Sequence, residues 1–455
     1  MKIAFIPIDN RPVCYTLAEQ IAKIDSNLQI VLPPRDMLGS LKKVADTKSI
    51  INWIKELKDI DKIIISLDTI AYGGLVPSRR SSDSFKKIKT RLEELKSVLE
   101  EKNAEIYAFS SIMRISNNNF NEEEKKYWKQ YGKKIFKYSY EYHKNGFAKT
   151  DVPDKIIEDY LKTRKRNFKI NKLYIEWAHE KFFKTLVFSK DDCAEYGLNV
   201  AEAKALNNHI KTKKCDICIK TGADEIPLSL LTRAIIDSKE IKIAPKFTNP
   251  DYVDKISKYE DVSVFDSVKG QIELAGATVT DEENADIILL VNNFKNEQGE
   301  LVMGVDVEGF KGKLELPEKP FILADIVNAN GADNNFVEQY LNTKINWNKF
   351  LGYAGWNTTG NTLGSVLCCA LVKFIAQNPD ITAFKKVQIV RFLDDWAYQA
   401  NVRKELKKHL LKPSIPKLEK LIKPYEKQIM EKFETNFEIK YSYPWNRFFE
   451  IEINL

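Results

Sequence analysis

The strongest constraint on this chain is a pairing that recurs along it: a short apolar run, then a stretch with helical periodicity. "KIAFIPI" leads into "TLAEQIAKI", "QIVLPP" into "SIINWIKELKDI", and "KIIISLD" into a region where Phe85, Ile88, Leu92, Leu95 and Leu99 recur three and four residues apart. "EIYAFSSIM", "KTLVFS" and "CDICIK" continue the series. Parallel strands need long return connections, usually helices, so this alternation predicts an α/β fold. Residues 1–240 are expected to form a mainly parallel sheet of six strands or an incomplete (β/α) barrel, with a helical insertion near 120–182.

From about residue 240 the pattern restarts. "IKIAPKF", "DVSVFD", "ADIILLVNN", "PFILADI" and "KFLGYAG" read as strands, and "VKGQIELAGATV" as a helix ending at a glycine turn. Residues 241–380 are therefore expected to be a second, Rossmann-like α/β domain. Residues 381–455 read as Lys-rich helices that close on "FEIKYSYPWNRFFEIEINL", where aromatic and polar residues alternate as in terminal strands.

Composition removes several classes of function. A chain of 455 residues, 44% hydrophobic and 30% charged, has ample material for packed cores. Its net charge of +7 is spread along helical faces, which does not suggest nucleic-acid binding. The N-terminal run reaches Asp9 too soon for an export signal, and "LGSVLCCALVKFIA" is interrupted by Lys373 and too short to span a bilayer. A cytoplasmic location without a membrane partner is expected. The six cysteines form no disulfide framework, and "CDIC" at 215–218 lies in a strand, where residues three apart face opposite ways, so it reads as core packing. The four histidines, at 143, 179, 209 and 409, have no second His or Cys at ligand spacing, and neither a metal nor a cofactor is expected.

The strand ends carry the chemistry. In parallel α/β folds the loops after the carboxyl ends share one edge, which here collects Asp9, Asn10 and Arg11, Arg35 and Asp36, Asp68, Tyr72 and Arg79, Arg114, Asp191 and Asp192, and Asp224 and Glu225. Asp9 and Asp224 each have a plain reading as helix caps, with Glu225 in a first helical turn. A cap explains only one of Asp191 and Asp192, and a turn at Gly73-Gly74 has no use for the Tyr72 ring. The glycines are expected to let the backbone approach a ligand. In the second domain "ADIVNANGADNNF" offers Asp325 and Asn328, "GYAGWNTTGNTLGS" offers Trp356, Asn357 and Asn361 before an apolar helix, and "FLDDWAYQANVR" offers Asp395 beside a Trp. Small polar residues at a helix start hold anions or hydroxyls as readily as they cap, and Trp with carboxylates suits sugars.

Taken together, "IPIDNRPV", "LPPRDMLG", "SLDTIAYGGLVPSR", "DDCAEYG", "GADEIPLSLLTRA", "GYAGWNTTGNTLG" and "DDWAYQANVR" resemble the bacterial domain-of-unknown-function family 4127, in order over nearly the whole chain. Lys190 stands where that family pattern has Gln. The resemblance supplies no reaction.

The residues themselves narrow the chemistry. The sequence has no Gly-x-Ser-x-Gly elbow, no phosphate loop and no dinucleotide fingerprint, but many carboxylates. Glycosidic hydrolysis needs one protonated and one ionised carboxyl, and crowding like charges produces that pair. The expected function is a glycoside hydrolase-like activity on a small carbohydrate, with Glu225 as acid, Asp192 as base or nucleophile and Asp68 as a further catalytic carboxyl. Asp9, Arg11, Tyr72, Arg79, Arg114, Asp191, Asp325, Asn328, Trp356, Asn357, Asn361 and Asp395 are expected to bind substrate. The alternatives are a sugar or sugar-acid binding protein without turnover and a Mg- or Mn-dependent enzyme using Asp68, Asp191 and Asp192.

Overall fold

The computed structural model describes residues 1–210, 216–237 and 239–455. Strands β1 (Lys2–Ile6), β2 (Gln29–Val31), β3 (Lys62–Ser66), β4 (Glu105–Ile112), β5 (Thr185–Lys190) and β6 (Ile217–Thr221) form one sheet in the order β2-β1-β3-β4-β5-β6. Every neighbouring pair is parallel. β3 and β5 are buried at every residue, as strands covered on both faces must be. The helix Phe85–Glu100 turns Ile88, Leu92, Leu95 and Leu99 into the sheet's core, and Ser84 caps it by accepting from Lys87 N at 3.3 Å.

The second sheet comprises β7 (Lys242–Phe247), β8 (Thr278–Val279), β9 (Ile287–Asn292), β11 (Phe321–Asp325) and β13 (Phe350–Ala354), in the order β13-β11-β9-β7-β8 and again wholly parallel. Two short strands, β10 (Gly299–Glu300) and β12 (Asn328–Ala329), pair beside it, and β14 (Lys440–Ser442) and β15 (Glu452–Asn454) make an antiparallel pair. In both sheets the chain lays its second strand on one side of the first and its third on the other. Each sheet thus has a topological switch point, between β1 and β3 and between β7 and β9, where α/β folds bind ligands.

One strand assignment needs correction. "DVSVFD" does not form a strand: Ser263 accepts from Asp266 N at 3.1 Å and caps the helix Val264–Leu274. The Ser-x-x-Asp spacing satisfies a free amide at the helix start, and Val264, Val268 and Ile272 then bury one helical face. The second-sheet position belongs instead to β8. Cys218 is half-buried in β6, and Cys215 lies outside the described residues. The apolar run around Cys368 and Cys369 is a buried helix, Thr359–Ile375, whose Lys373 donates to the carbonyls of Trp347 and Phe350 at 2.7 Å. Among the described residues no helix is long and apolar enough to cross a membrane.

The chain forms two compact units. Unit 1 contains Met1–Tyr15, Gln29–Pro227 and Tyr259–Asp261; unit 2 contains Thr16–Leu28, Leu228–Lys258 and Val262–Leu455. Residues 381–455 thus group with the second sheet. Within unit 1 the region read as an insertion forms the helices Trp128–Asn145 and Asp154–His179, with a small core of their own around Trp128, Ile135 and Tyr160.

Candidate functional site

The loop after β1 turns on Asp9, whose Oδ1 accepts from Arg11 N at 3.0 Å. Asp9 is therefore not a helix cap. The Arg11 side chain runs between two carboxylates: its Nε donates to both oxygens of Asp9 at 3.0 Å, and its two terminal nitrogens donate to Asp224 at 3.0 and 2.6 Å. All three residues are buried. Three strands separate β1 from β6, which is about 19 Å across a flat sheet at ~4.8 Å per strand. The Arg11–Asp224 pair shows that the loops at these distant positions converge over the carboxyl edge, although β2 and β6 are not bonded to each other. Burial pushes Asp224 up, Arg11 opposes it, and the charges of Asp9 and Asp191 push further.

A second group sits on the same edge. Arg79, on the helix Leu75–Arg80, donates to Glu124 at 3.3 Å and to Asp191 Oδ2 at 3.1 Å. Arg114, just beyond β4, donates to Glu124 at 3.1 Å, Glu123 at 2.8 Å and Asp192 Oδ2 at 3.0 Å. Two guanidinium groups thus serve four carboxylates. The Asp191 and Asp192 side chains are 12% and 25% exposed and Arg114 is 16% exposed, whereas Arg79 is 1% exposed, so Arg79 lies beneath the carboxylates and Arg114 beside them. Asp191 is pushed up by burial and then by the charge of Asp192, with Arg114 and Arg79 opposing. Burial also pushes Asp192 up, against the same two arginines. Asp192 has a φ of 40°, a left-handed conformation that Asp tolerates better than most residues.

Asp68, Tyr72 and Glu225 lie deeper. Asp68 is fully buried, with Ser111 N donating to its Oδ2 at 2.8 Å and Ser110 Oγ 3.0 Å from its Oδ1. Tyr72 is buried in the sheet's core, with the Arg166 guanidinium 5.3 Å from its ring centroid. Gly73 and Gly74 have φ of 91° and 124°, but they do not open the backbone to a ligand. A Cβ on Gly73 would lie 2.9 Å from Val44 Cβ, and one on Gly74 would lie 3.0 Å from the Ile8 carbonyl, so the pair lets three backbone segments pack together. Glu225 is fully buried, accepts from Ala223 N at 3.0 Å, and is pushed up by burial and by Asp224 and Glu260. Its carboxyl faces its own loop.

In unit 2 the corresponding edge is held differently. Asp325 accepts from Asn292 Nδ2 at 3.0 Å and from Asp333 N at 2.6 Å. Asp395 accepts from Gly355 N at 2.7 Å and from Arg391 at 2.6 Å. It belongs to a π-helix, Phe392–Val402, whose wider turn lets Gln399 donate to Asp394, five residues back, at 2.9 Å. Asn328 lies in β12, its Oδ1 where a Cβ on Gly299 would fall. The Trp356 ring is buried 5.8 Å from that of Phe449. The Asn357 carbonyl accepts from Asn330 N at 2.9 Å, and Thr358 caps the helix Thr359–Ile375 through Asn361 N. These contacts tie the three unit 2 segments into one buried network.

The sequence reading missed Glu123 and Glu124, which stand in "NEEEKK" and look there like solvated charge, yet Glu124 is buried. It also missed Ser110, Asn171 and Arg391, none of which belongs to a recognisable pattern. Among the described residues no group of three or more His, Cys, Asp or Glu is placed to hold a metal ion. The set proposed for Mg or Mn does not converge: Asp68 bonds to β4, whereas Asp191 and Asp192 bond to the arginines.

No curated protein matches the chain. The model of the DUF4127 family, described as proteins of unknown function, matches residues 3–454, so the chain belongs to that family.

Proposed function

We propose that the carboxyl edge of unit 1 is the active site of a carbohydrate-active hydrolase, glycoside hydrolase-like in its chemistry, acting on a small-molecule substrate in the cytoplasm. The observation that carries this reading is how Asp191 and Asp192 are held. Each is anchored through Oδ2, by Arg79 and by Arg114, and neither Oδ1 has a partner among the described residues. Glycosidic hydrolysis needs one carboxylic acid to protonate the leaving oxygen, and one carboxylate to attack the anomeric carbon or to take a proton from the attacking water. Asp191, pushed up by burial and by its neighbour's charge, supplies the acid. Asp192, more exposed and faced by Arg114, supplies the carboxylate. Glu225 is too deeply buried to reach a substrate and supports the 222–225 loop instead. The free thiols of Cys14, Cys193, Cys368 and Cys369 suit a reducing compartment.

The test is turnover of a panel of aryl glycosides by the wild type and by Asp192→Asn, with calorimetry of the parent sugars. The expected result is hydrolysis of at least one glycoside, lowered ~100-fold to ~10,000-fold by the substitution while sugar affinity is kept. Sugar binding without turnover by the wild type would favour a binding protein on the same residues. Neither binding nor turnover would remove carbohydrates from consideration.

A further inference from the structure

Asp68 has no ion pair among the described residues, and its hydrogen bonds count its proton. Ser110 Oγ lies 3.0 Å from Asp68 Oδ1 and 2.8 Å from Asn171 Oδ1. A hydroxyl has a single hydrogen, so it cannot donate to both oxygens. The Asn171 amide is oriented by its Nδ2, which faces the Ser111 carbonyl at 3.5 Å; turning it over would set two carbonyl oxygens against each other. Ser110 therefore donates to Asn171 and accepts from Asp68. On the other side, Ser111 N donates to Asp68 Oδ2.

We infer that Asp68 is a neutral carboxylic acid that donates to Ser110, and that it is a positioning residue which tunes the Asp191–Asp192 pair through Arg79. The surroundings agree. Arg79 spends its terminal nitrogens on Glu123, Glu124 and Asp191 and reaches Asp68 only through space. Tyr72 stands one turn along from Asp68, and Tyr174 faces it from the helix Asp154–His179. Arg91 of the helix Phe85–Glu100 and Arg166 act on these phenols and make their hydrogen bonds elsewhere, Arg91 to the Ala71 carbonyl and Asp83, Arg166 to the carbonyls of Ser78, Ser81 and Asp83 and to Asn167. The hydroxyls of Ser66, Tyr72 and Tyr174 are buried without a partner among the described residues, so none of them stabilises an ionised Asp68. Burial pushes Asp68 up to about 6 despite its serine hydrogen bonds and the Arg79 charge.

The consequence for catalysis rests on the reading of Asp191 and Asp192 given above; the proton itself does not. While Asp68 is neutral, the Arg79 charge is left to Asp191, Glu123 and Glu124. When Asp68 loses its proton, the new negative charge beside Arg79 offsets part of that field, and Asp191 holds its own proton more tightly. The acid is thereby kept protonated to higher pH.

Infrared difference spectroscopy of wild type against Asp68→Asn, on the full chain, tests the proton directly. At pH 5 the difference is expected to show a protonated carboxyl band that titrates away near pH 6; ionised-carboxylate bands at pH 5 would overturn the inference. Asn is isosteric and keeps a donor for Ser110, so the variant is expected to fold. Asn171→Ala provides a second reading, because Ser110 is then free to donate to Asp68 and the band should titrate at lower pH; an unchanged midpoint would overturn the hydrogen-bond order. If the glycoside panel shows turnover, Asp68→Asn is expected to shift the alkaline limb of the pH profile to lower pH, a change that a purely structural role would not make. An unshifted limb with a normal infrared result would overturn the tuning alone, and an inactive wild type would count against the hydrolase reading and leave the infrared result standing.

Discussion

The two sheets share a strand order and a polar carboxyl edge, yet they hold their carboxylates by different means. In unit 1 the ligands are guanidinium groups: Arg11 for Asp9 and Asp224, Arg79 and Arg114 for Asp191, Asp192, Glu123 and Glu124. In unit 2 backbone amides and asparagine do most of the work, as in Asp325 with Asp333 N and Asn292, and Arg391 is the one cation bonded to Asp395 among the described residues. Arg79 and Arg114 hold Asp191 and Asp192 through one oxygen each, whereas Arg11 engages both oxygens of Asp9 and both of Asp224. In unit 2 Asp325 accepts through both oxygens, from Asn292 and from Asp333 N, and Asp395 through Oδ2, from Gly355 N and Arg391, which fixes the loops that supply the amides. The single-oxygen hold on Asp191 and Asp192 is the feature on which the proposed hydrolase reading of unit 1 rests.

The sharpest break of this comparison is to exchange the expected effects. Asp192→Asn should cost ~100-fold or more in turnover with little change in the urea midpoint, while Asp395→Ala should leave a buried Arg391 unpaired and cost about 3–5 kcal/mol of stability. If Asp395→Ala abolished turnover in a protein of normal stability, the assignment of roles would be reversed. Arg11→Ala, which strands two buried carboxylates, is expected to lower the midpoint by a similar amount to Asp395→Ala.

The pH response sharpens the contrast. Asp394 is pushed up to about 7 and Asp395 to about 6, by burial first, then for Asp394 by the charge of Asp395, while Arg391 opposes both. Such carboxyls bind more protons folded than unfolded. Their contribution to stability is therefore present below the ordinary value of 3.8 and is lost as pH rises through about 6 to 7. Thermal melts from pH 5 to pH 8 should show this loss, and Asp394→Asn should flatten it; an unchanged slope would mean that the pair is ionised throughout. Glu105 in unit 1 runs the other way. Lys184, and after it Lys62, holds it down to about 2, so its contribution is present above 4.5 and lost as pH falls through about 2. Glu105 is more than one-third exposed, so that term is small.

Smallest in expected effect is Gly74→Ala. At a φ of 124° with the Ile8 carbonyl 3.0 Å from the new Cβ, the cost should be about 1–2 kcal/mol, seen as a lower urea midpoint without loss of turnover. A selective loss of activity would instead restore the glycines to a role in ligand approach.

Much of the fold was legible because burial imposes period. Lys62–Ser66 and Ile287–Asn292 are near-continuous apolar runs since both faces of a parallel sheet are covered, and the Phe85–Glu100 stripe follows the helical turn. "DVSVFD" misled because three apolar residues fit either a strand or the first turns of a helix, and the Ser263 cap decides between them. The site was half legible. Arg114, Asp191 and Asp192 stand just beyond strand ends, where topology alone predicts chemistry, and Arg79 lies on the second helix after β3. Glu124 was hidden in a charge run, and the π-helix at Phe392–Val402 leaves no pattern that a 3.6-residue period would reveal.

The sequence by itself determined the local matters: which segments are strands, which face of each helix is buried, and that polar residues gather at the carboxyl edges. These follow from neighbouring residues and from the solvent. Tertiary structure alone decided which charges meet. Arg11 and Asp224 are 213 positions apart, and Arg79 and Asp191 are 112 apart. No local period encodes such pairs, because they depend on how strand order and loop length bring distant loops over one edge. Tertiary structure also decided which carboxyls keep their protons, since that depends on burial and on the charge of neighbours contributed by other parts of the chain.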